Sequence, residues 1–376
     1  MINLNSDVKT SLGCMSHQEE IKGDISANKP LPNCREAMKQ FHAKSDWLAV
    51  VLFSTDISLY VILFLAGAYS HRLSLKVLAG VVCGIITARL FVIGHDACHQ
   101  SFTSNHILNR WIGRMAFAPS LTPYGAWELA HNSIHHVFSN WSEKDYVWAP
   151  FSLNEYQSLP WWRKALEHCY RSPIGLGLYY FIEIWCTRLY LPRKKYARKF
   201  YIGDCVLVTA VVLARVSLLM LVARLKNIGV LPQLLTMELL PIATWNVLMG
   251  FTIFLHHTHP SVPWFRNRDE WVEYEAQLHT PVHVSFRVPF SRFFHNIMEH
   301  TAHHVDINIP LYQLPEAQST LEKLYPQNVT MDKWSVGRFL ACIRTCKLYN
   351  YETHCWTDFR GKVTARTNIC VKGQSG

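Results

Sequence analysis

Apolar residues in this chain gather into four long runs instead of recurring at the spacing of a half-buried helix or strand. A membrane-crossing helix needs about 20 mostly apolar residues, and Trp47 to Tyr69, Leu73 to Ile93, Asp204 to Ala223 and Val230 to Leu255 all have that character. Short turns, Ser70 to Arg72 and Arg224 to Gly229, separate the members of each pair, so the pattern predicts two hairpins that cross a bilayer and return at once. The N-terminal stretch, segment 94 to 203 and everything after Leu255 must then share one side. The expected fold is an all-α integral membrane protein: four transmembrane helices in two hairpins under a cytosolic helical cap. A polar N-terminal tail (1–45), a membrane domain (46–330) and a C-terminal cytosolic tail (331–376) follow from the same pattern. Tyr156 to Trp162 and Ile174 to Leu191 are aromatic-rich but broken by Glu167, Glu183 and Arg188, which predicts interfacial or half-buried helices.

Charge fixes the orientation of this scaffold. Only 17% of residues are charged, low for a soluble enzyme, yet the formal net charge is +10. The basic residues flank apolar runs: Lys29, Arg35, Lys39 and Lys44 before the first, and Arg193, Lys194, Lys195, Arg198 and Lys199 before the third. Such flanks are cytosolic anchors against anionic headgroups. They therefore place both termini and the 94–203 segment in the cytoplasm, with Arg72 and Arg224 on the opposite turns making the bias one of degree. No nucleic-acid-binding motif competes. Eleven cysteines are scattered without the paired framework of a secreted domain; Cys342, Cys346, Cys355 and Cys370 lack the close C-x-x-C pairs of a zinc ribbon. The first 45 residues show no cleavable signal peptide.

Candidate chemistry lies in four histidine clusters, all on the one side. H-D-A-C-H places His95 and His99 four apart as the second run ends, on one face of a continuing helix. H-N-S-I-H-H supplies His131, His135 and His136; at 3.6 residues per turn, His131 and His135 share a face and His136 points well away, a divergence that suits two metals. H-H-T-H-P follows the fourth run, with His257 the favoured ligand, His259 second and His256 facing headgroups or protein. H-N-I-M-E-H-T-A-H-H gives His300, His303 and His304 within one turn, able to point to one side. Asn296 continues the i, i+4 stripe as a weaker ligand or a holder of bound water, while His295 is structural.

A lone pair such as His95 and His99 is more often structural than metal-binding; the clusters together favour a metal site. Imidazole suits zinc, copper, nickel and iron alike. Number is more telling: nine histidines are too many for one ion and about right for two. Asp96, Glu128, Asp145, Glu299 and Asp306 lie close enough in sequence to orient those imidazoles.

On these residues the chain resembles the membrane fatty acid desaturase family, most closely its omega-6, delta-12-type acyl-lipid branch and bacterial relatives. The resemblance runs from about Gly94 to Tyr325 and includes G-H-D-A-C-H, H-N-S-I-H-H, D-Y-V-W-A-P from Asp145, H-T-H-P and F-H-N-I-M-E-H-T-A-H-H. It implies a histidine-bound di-iron centre that uses O2 and two external electrons to remove two hydrogens from adjacent methylenes of a lipid-linked acyl chain. Two departures stand out. The second box has three residues before its H-H pair, where many omega-6 plant-type members have two, although the family allows either. Ile253 and Thr252 stand four residues before His257 and His256, where the acyl-CoA branch has Asn.

No fused cytochrome b5 or rubredoxin-like signature is visible, so a separate donor, a ferredoxin or cytochrome b5 with its reductase, is the expected partner. A hydroxylase, acetylenase or carotenoid oxygenase of the same superfamily is the nearest alternative. A zinc or copper transporter or sensor is the alternative of another class, which ligands within the spans would mark.

Overall fold

The computed structural model describes residues 32–190, 199–273, 276–287 and 289–369. Lys29, Arg193, Lys194, Lys195, Arg198 and Cys370 lie outside the described residues. In chain order, helices α1 (Asp46–Tyr69) and α2 (Leu73–Cys98) are followed by α3 (His106–Phe117) and α4 (Tyr124–Glu128), which runs straight into a π-helical turn, Leu129–His135. Next come α5 (Trp161–Tyr170) and α6 (Leu176–Tyr179), the latter continued by π-helix Tyr180–Tyr190. They occupy the aromatic-rich stretches, and Trp161, Trp162 and Ile174 stay exposed.

Helices α7 (Tyr201–Lys226) and α8 (Val230–His257) complete a set of four, with α1 and α2, that are long and apolar enough to cross a membrane. The outer faces of α1 and α7 expose Leu59, Ile62, Val206, Leu213 and Leu221, an apolar surface that suits lipid and not water. The protein is a membrane protein built mainly of helices.

Helices α2 and α8 form the inner contact, and small residues allow it. A Cβ on Gly80 would stand 2.1 Å from the Thr236 carbonyl oxygen and one on Gly84 2.7 Å from that of Pro241. This Gly-x-x-x-Gly pair thus brings two backbones together as only glycine can. Gly250 makes the same approach to Leu176, whose carbonyl oxygen would lie 2.2 Å from an added Cβ.

The start of α1 meets the end of α2: Asp46 accepts from the Ser104 amide at 2.6 Å, and Lys44 Nζ donates to the Gln100 carbonyl at 2.7 Å. At the far end Gln233, in the first turn of α8, donates to Ala68 O at 2.9 Å. The ends of α2 and α8 that carry histidine therefore lie together.

The charges that look isolated in the apolar runs are paired. Asp56 meets Arg89 at 2.8 Å, and Arg215 meets Glu238 at 3.0 Å. Each pair joins two helices, which is how a charge is tolerated in such a segment.

The helical layer also holds strands that an all-α reading leaves out. Strands β1 (Val282–Ser285) and β2 (Thr330–Lys333) pair in parallel. Between them in sequence lies α9 (His300–Val305), and α10 (Val336–Thr345) precedes the antiparallel sheet β3 (Leu348–Asn350), β4 (Cys355–Thr357) and β5 (Val363–Arg366). The stretch expected only as a tail thus folds against the end of α8: Trp356 Nε1 donates to His259 O at 3.1 Å and Cys342 Sγ to Thr258 O at 3.2 Å.

Candidate metal centre

The end of α2, the π-helical turn, the end of α8 and α9 converge, and their histidines sort into two groups. His95, His99, His131, His136 and His303 form one; His135, His257, His300 and His304 form the other. Within each group the nitrogen atoms that could bind a metal all lie within 4.8 Å of one another. None of the nine rings is more than 9% exposed. In the first group His131 Nε2 lies 2.7 Å from His95 Nε2 and 3.0 Å from His136 Nε2, with His303 Nε2 3.1 Å from His136 Nε2. In the second, His257 Nε2 lies 3.1 Å from His135 Nε2 and 3.0 Å from His300 Nε2.

Two details differ from helical expectation. On an α-helix His136 would point about 140° away from His131. Instead the His136 amide donates to the His131 carbonyl, closing a π turn that brings residues five apart onto one side. His136 thus joins His131 in the first group and His135 turns to the second. Likewise His300, His303 and His304 do not all face one way: the i, i+4 pair His300 and His304 enters the second group and His303 the first. Helix α9 passes between the two groups, and each face supplies one of them.

Of the weaker candidates, His259 belongs to neither group, and its Nδ1 is 2.7 Å from Ser261 Oγ; Asn296 Nδ2 donates to Leu311 O at 2.9 Å. His256 is buried with its ring stacked 3.7 Å from that of His300. Cys342 and Cys346 lie 4.0 Å apart at sulfur, and neither belongs to a metal-competent group among the described residues.

Of the acidic neighbours, Asp145 orients His135. Its oxygens lie 3.2 and 3.3 Å from Nδ1 while accepting from the amides of Val147 at 3.0 Å and Asn140 at 3.1 Å. Both oxygens act as acceptors, so Nδ1 is placed to donate to them, which leaves the Nε2 lone pair facing His257. Asp96 accepts from the Leu311 amide at 2.6 Å, Asp306 bonds His42 at 2.8 Å, and Glu299 accepts from Ser291 Oγ. Glu128 is half-buried, and loss of water raises its carboxyl above the ordinary range.

Burial drives His99, His131, His136, His300, His303 and His304 well below the usual imidazole range, and neighbouring rings push in the same direction. They are held neutral, the form that binds metal. Both ring nitrogens of His99 are buried without a hydrogen-bond partner. A crowd of neutral imidazoles with lone pairs turned inward and a nitrogen left unsatisfied fits two metal ions.

A mostly apolar cavity of about 860 Å³, open mouth included, is lined in part by both groups, through His95, His131, His135, His257 and His300. Phe91, Trp127, Tyr180, Trp245 and Phe294 supply much of its wall. Trp127 stacks on His131 with centroids 5.0 Å apart. Trp127 lies outside the histidine clusters that mark the site in the sequence, although its place four before His131 is a signal for such a contact.

Residues 73–335, most of the chain, match the model of the family described as fatty acid desaturase. An omega-6 fatty acid desaturase, chloroplastic, of Glycine max is 27% identical over 337 residues, covering 89% of this chain and 76% of that one. An sn-1 oleoyl-lipid 12-desaturase of Picosynechococcus is 28% identical over 269 residues, 72% of this chain and 75% of the other. An sn-1 acyl-lipid omega-3 desaturase (ferredoxin) of Synechocystis is 27% identical over 297 residues, 72% and 74%.

Proposed function

The chain belongs to the fatty acid desaturase family, and from that premise we propose that it inserts a cis double bond into a lipid-linked acyl chain, using O2 and two irons held by the nine clustered histidines. The observation that carries the reading is that two buried imidazole groups line one apolar cavity. His95, His99, His131, His136 and His303 would hold one iron, and His135, His257, His300 and His304 the other. Bound there, the iron pair would supply the oxidising power that an unactivated methylene requires, since no side chain is a strong enough base to deprotonate it.

The chain's own residues do the rest. Apolar walls take up a methylene chain and exclude water, while Trp127 and Phe91 confine it beside His95 and His131. Removing two hydrogens yields two electrons, and O2 needs four to become two waters. Two more must come from a separate ferredoxin or cytochrome b5 with its reductase. The Synechocystis relative, whose name carries ferredoxin, and the basic character of the chain support such an acidic partner. We place the four long helices across the membrane as two hairpins, with the histidine layer and both ends of the chain in the cytoplasm.

The test is lipid profiling of a host that expresses the intact chain beside a His304→Ala variant. A new cis-unsaturated acyl species that disappears in the variant is expected. A hydroxylated product alone would overturn desaturation in favour of oxygen insertion, and stoichiometric zinc without oxygen consumption would overturn both.

A further inference from the structure

A second polar assembly lies among the helices beneath the histidines. Arg89 precedes His95 by six residues on α2, about 9 Å along the helix axis. Its Nε and Nη2 donate to Asp56 Oδ1, from α1, at 3.1 and 2.8 Å. Its Nη1 donates to the backbone carbonyl of Phe293, and the guanidinium sits 4.9 Å from the centre of the Phe293 ring. The other Asp56 oxygen lies 2.6 Å from His295 Nε2. Asp56 is wholly buried and His295 nearly so. Ionisable side chains in apolar spans are retained where they pair, and such pairs commonly mark function.

What this pair grips is an irregular turn. His295 and Asn296 are successive residues with positive φ, 53° and 60°, a backbone that side-chain-bearing residues seldom adopt and that persists only where surroundings enforce it. Four residues later the chain enters α9 at His300. Phe290, Phe294, Ile297 and Met298, on either side of the turn, line the cavity. A second tie comes from Leu311, whose amide donates to Asp96 and whose carbonyl accepts from Asn296. The turn is thereby fastened to α2 both beside His95 and at Arg89.

We propose that Asp56, Arg89 and His295 are positioning residues: they clamp the Phe293–Asn296 turn and so fix His300 and one wall of the cavity relative to each other. That relation decides which methylene of a bound chain stands at the reaction centre. The inference rests on the nine histidines being the metal centre of a desaturase. The Arg215–Glu238 pair joins two spans without touching this turn and serves as the comparison.

The test expresses the intact chain and its Asp56→Asn, Arg89→Lys, His295→Ala and Glu238→Gln variants in one host. Iron per purified chain, product yield and double-bond position by mass spectrometry are read for each. The three clamp variants should give about tenfold less product, the scale seen when supports of metal ligands are lost, with lower iron content and double bonds spread over neighbouring positions. Glu238→Gln should keep a single position. Asp56→Glu should restore part of the yield and narrow the spread. His295→Ala leaves the ion pair intact, so it carries the test if Asp56→Asn fails to accumulate. Wild-type iron, yield and position in His295→Ala would overturn the inference, whereas an inactive wild-type chain would overturn the function on which it rests.

Discussion

Replacing Asp145 by Asn changes one atom of a fully buried carboxylate. That atom cannot be accommodated in either orientation. Oδ1 accepts from the Val147 amide and Oδ2 from the Asn140 amide, and both face His135 Nδ1. Whichever position receives the amide nitrogen, a donor then meets a backbone donor, and a buried unsatisfied group costs about 1–3 kcal/mol. His135 loses one of its two acceptor oxygens at the same time. Its proton can then move to Nε2, the nitrogen that faces His257 at 3.1 Å, and a protonated Nε2 cannot bind metal. Loss of such a support typically weakens metal binding by about 10–100-fold. The second group has only four members, so its ion should be the one released: iron per purified chain should fall from two toward one, and desaturated product should fall with it. Metal analysis and lipid profiling of detergent-purified protein that elutes like the wild type make the comparison. An Asp145→Asn chain that retains two irons and full activity would refute the argument that His135 is oriented through Asp145.

Three further outcomes follow from the packing and the charge states. Gly250→Ala puts a methyl against the Leu176 carbonyl on the helix that carries His257, and overpacking of about 1–3 kcal/mol should appear as a lower melting temperature; an unchanged one would remove the close approach from the account. His256→Gln should leave iron content near two per chain while His303→Ala lowers it, and equal loss in both would show that His256 is a ligand. Chelator-stripped protein should lose stability as pH falls below about 6.5, because His131, His136, His300, His303 and His304 are neutral when folded but take up protons when unfolded. Each contributes to that loss in the same direction, and a melting temperature flat from pH 8 to 5 would contradict their burial.

The four long helices were legible because about 20 consecutive apolar residues have few other uses, and the nine histidines because they recur in tight clusters. Their division into two groups was not. Whether H-N-S-I-H-H winds as α or π depends on what packs around it, and the choice moves His136 from one side to the other. The Asp56–His295 contact joins residues 239 apart in sequence, so each looks solitary when read locally. Strands β3 to β5 hold three or four residues each, too few for alternation to stand out from a polar tail.

The π turn bears on how this stretch can vary in length. With three residues between His131 and the paired histidines, the last histidine of the pair bonds the carbonyl of the first by closing the wider turn. A chain with two such residues reaches the same carbonyl through an ordinary α turn. Loss of one residue among Asn132, Ser133 and Ile134 would therefore be absorbed by a change of helix type, with the order of imidazoles preserved. The count of residues in this box therefore sets the type of helical turn and not which imidazoles meet.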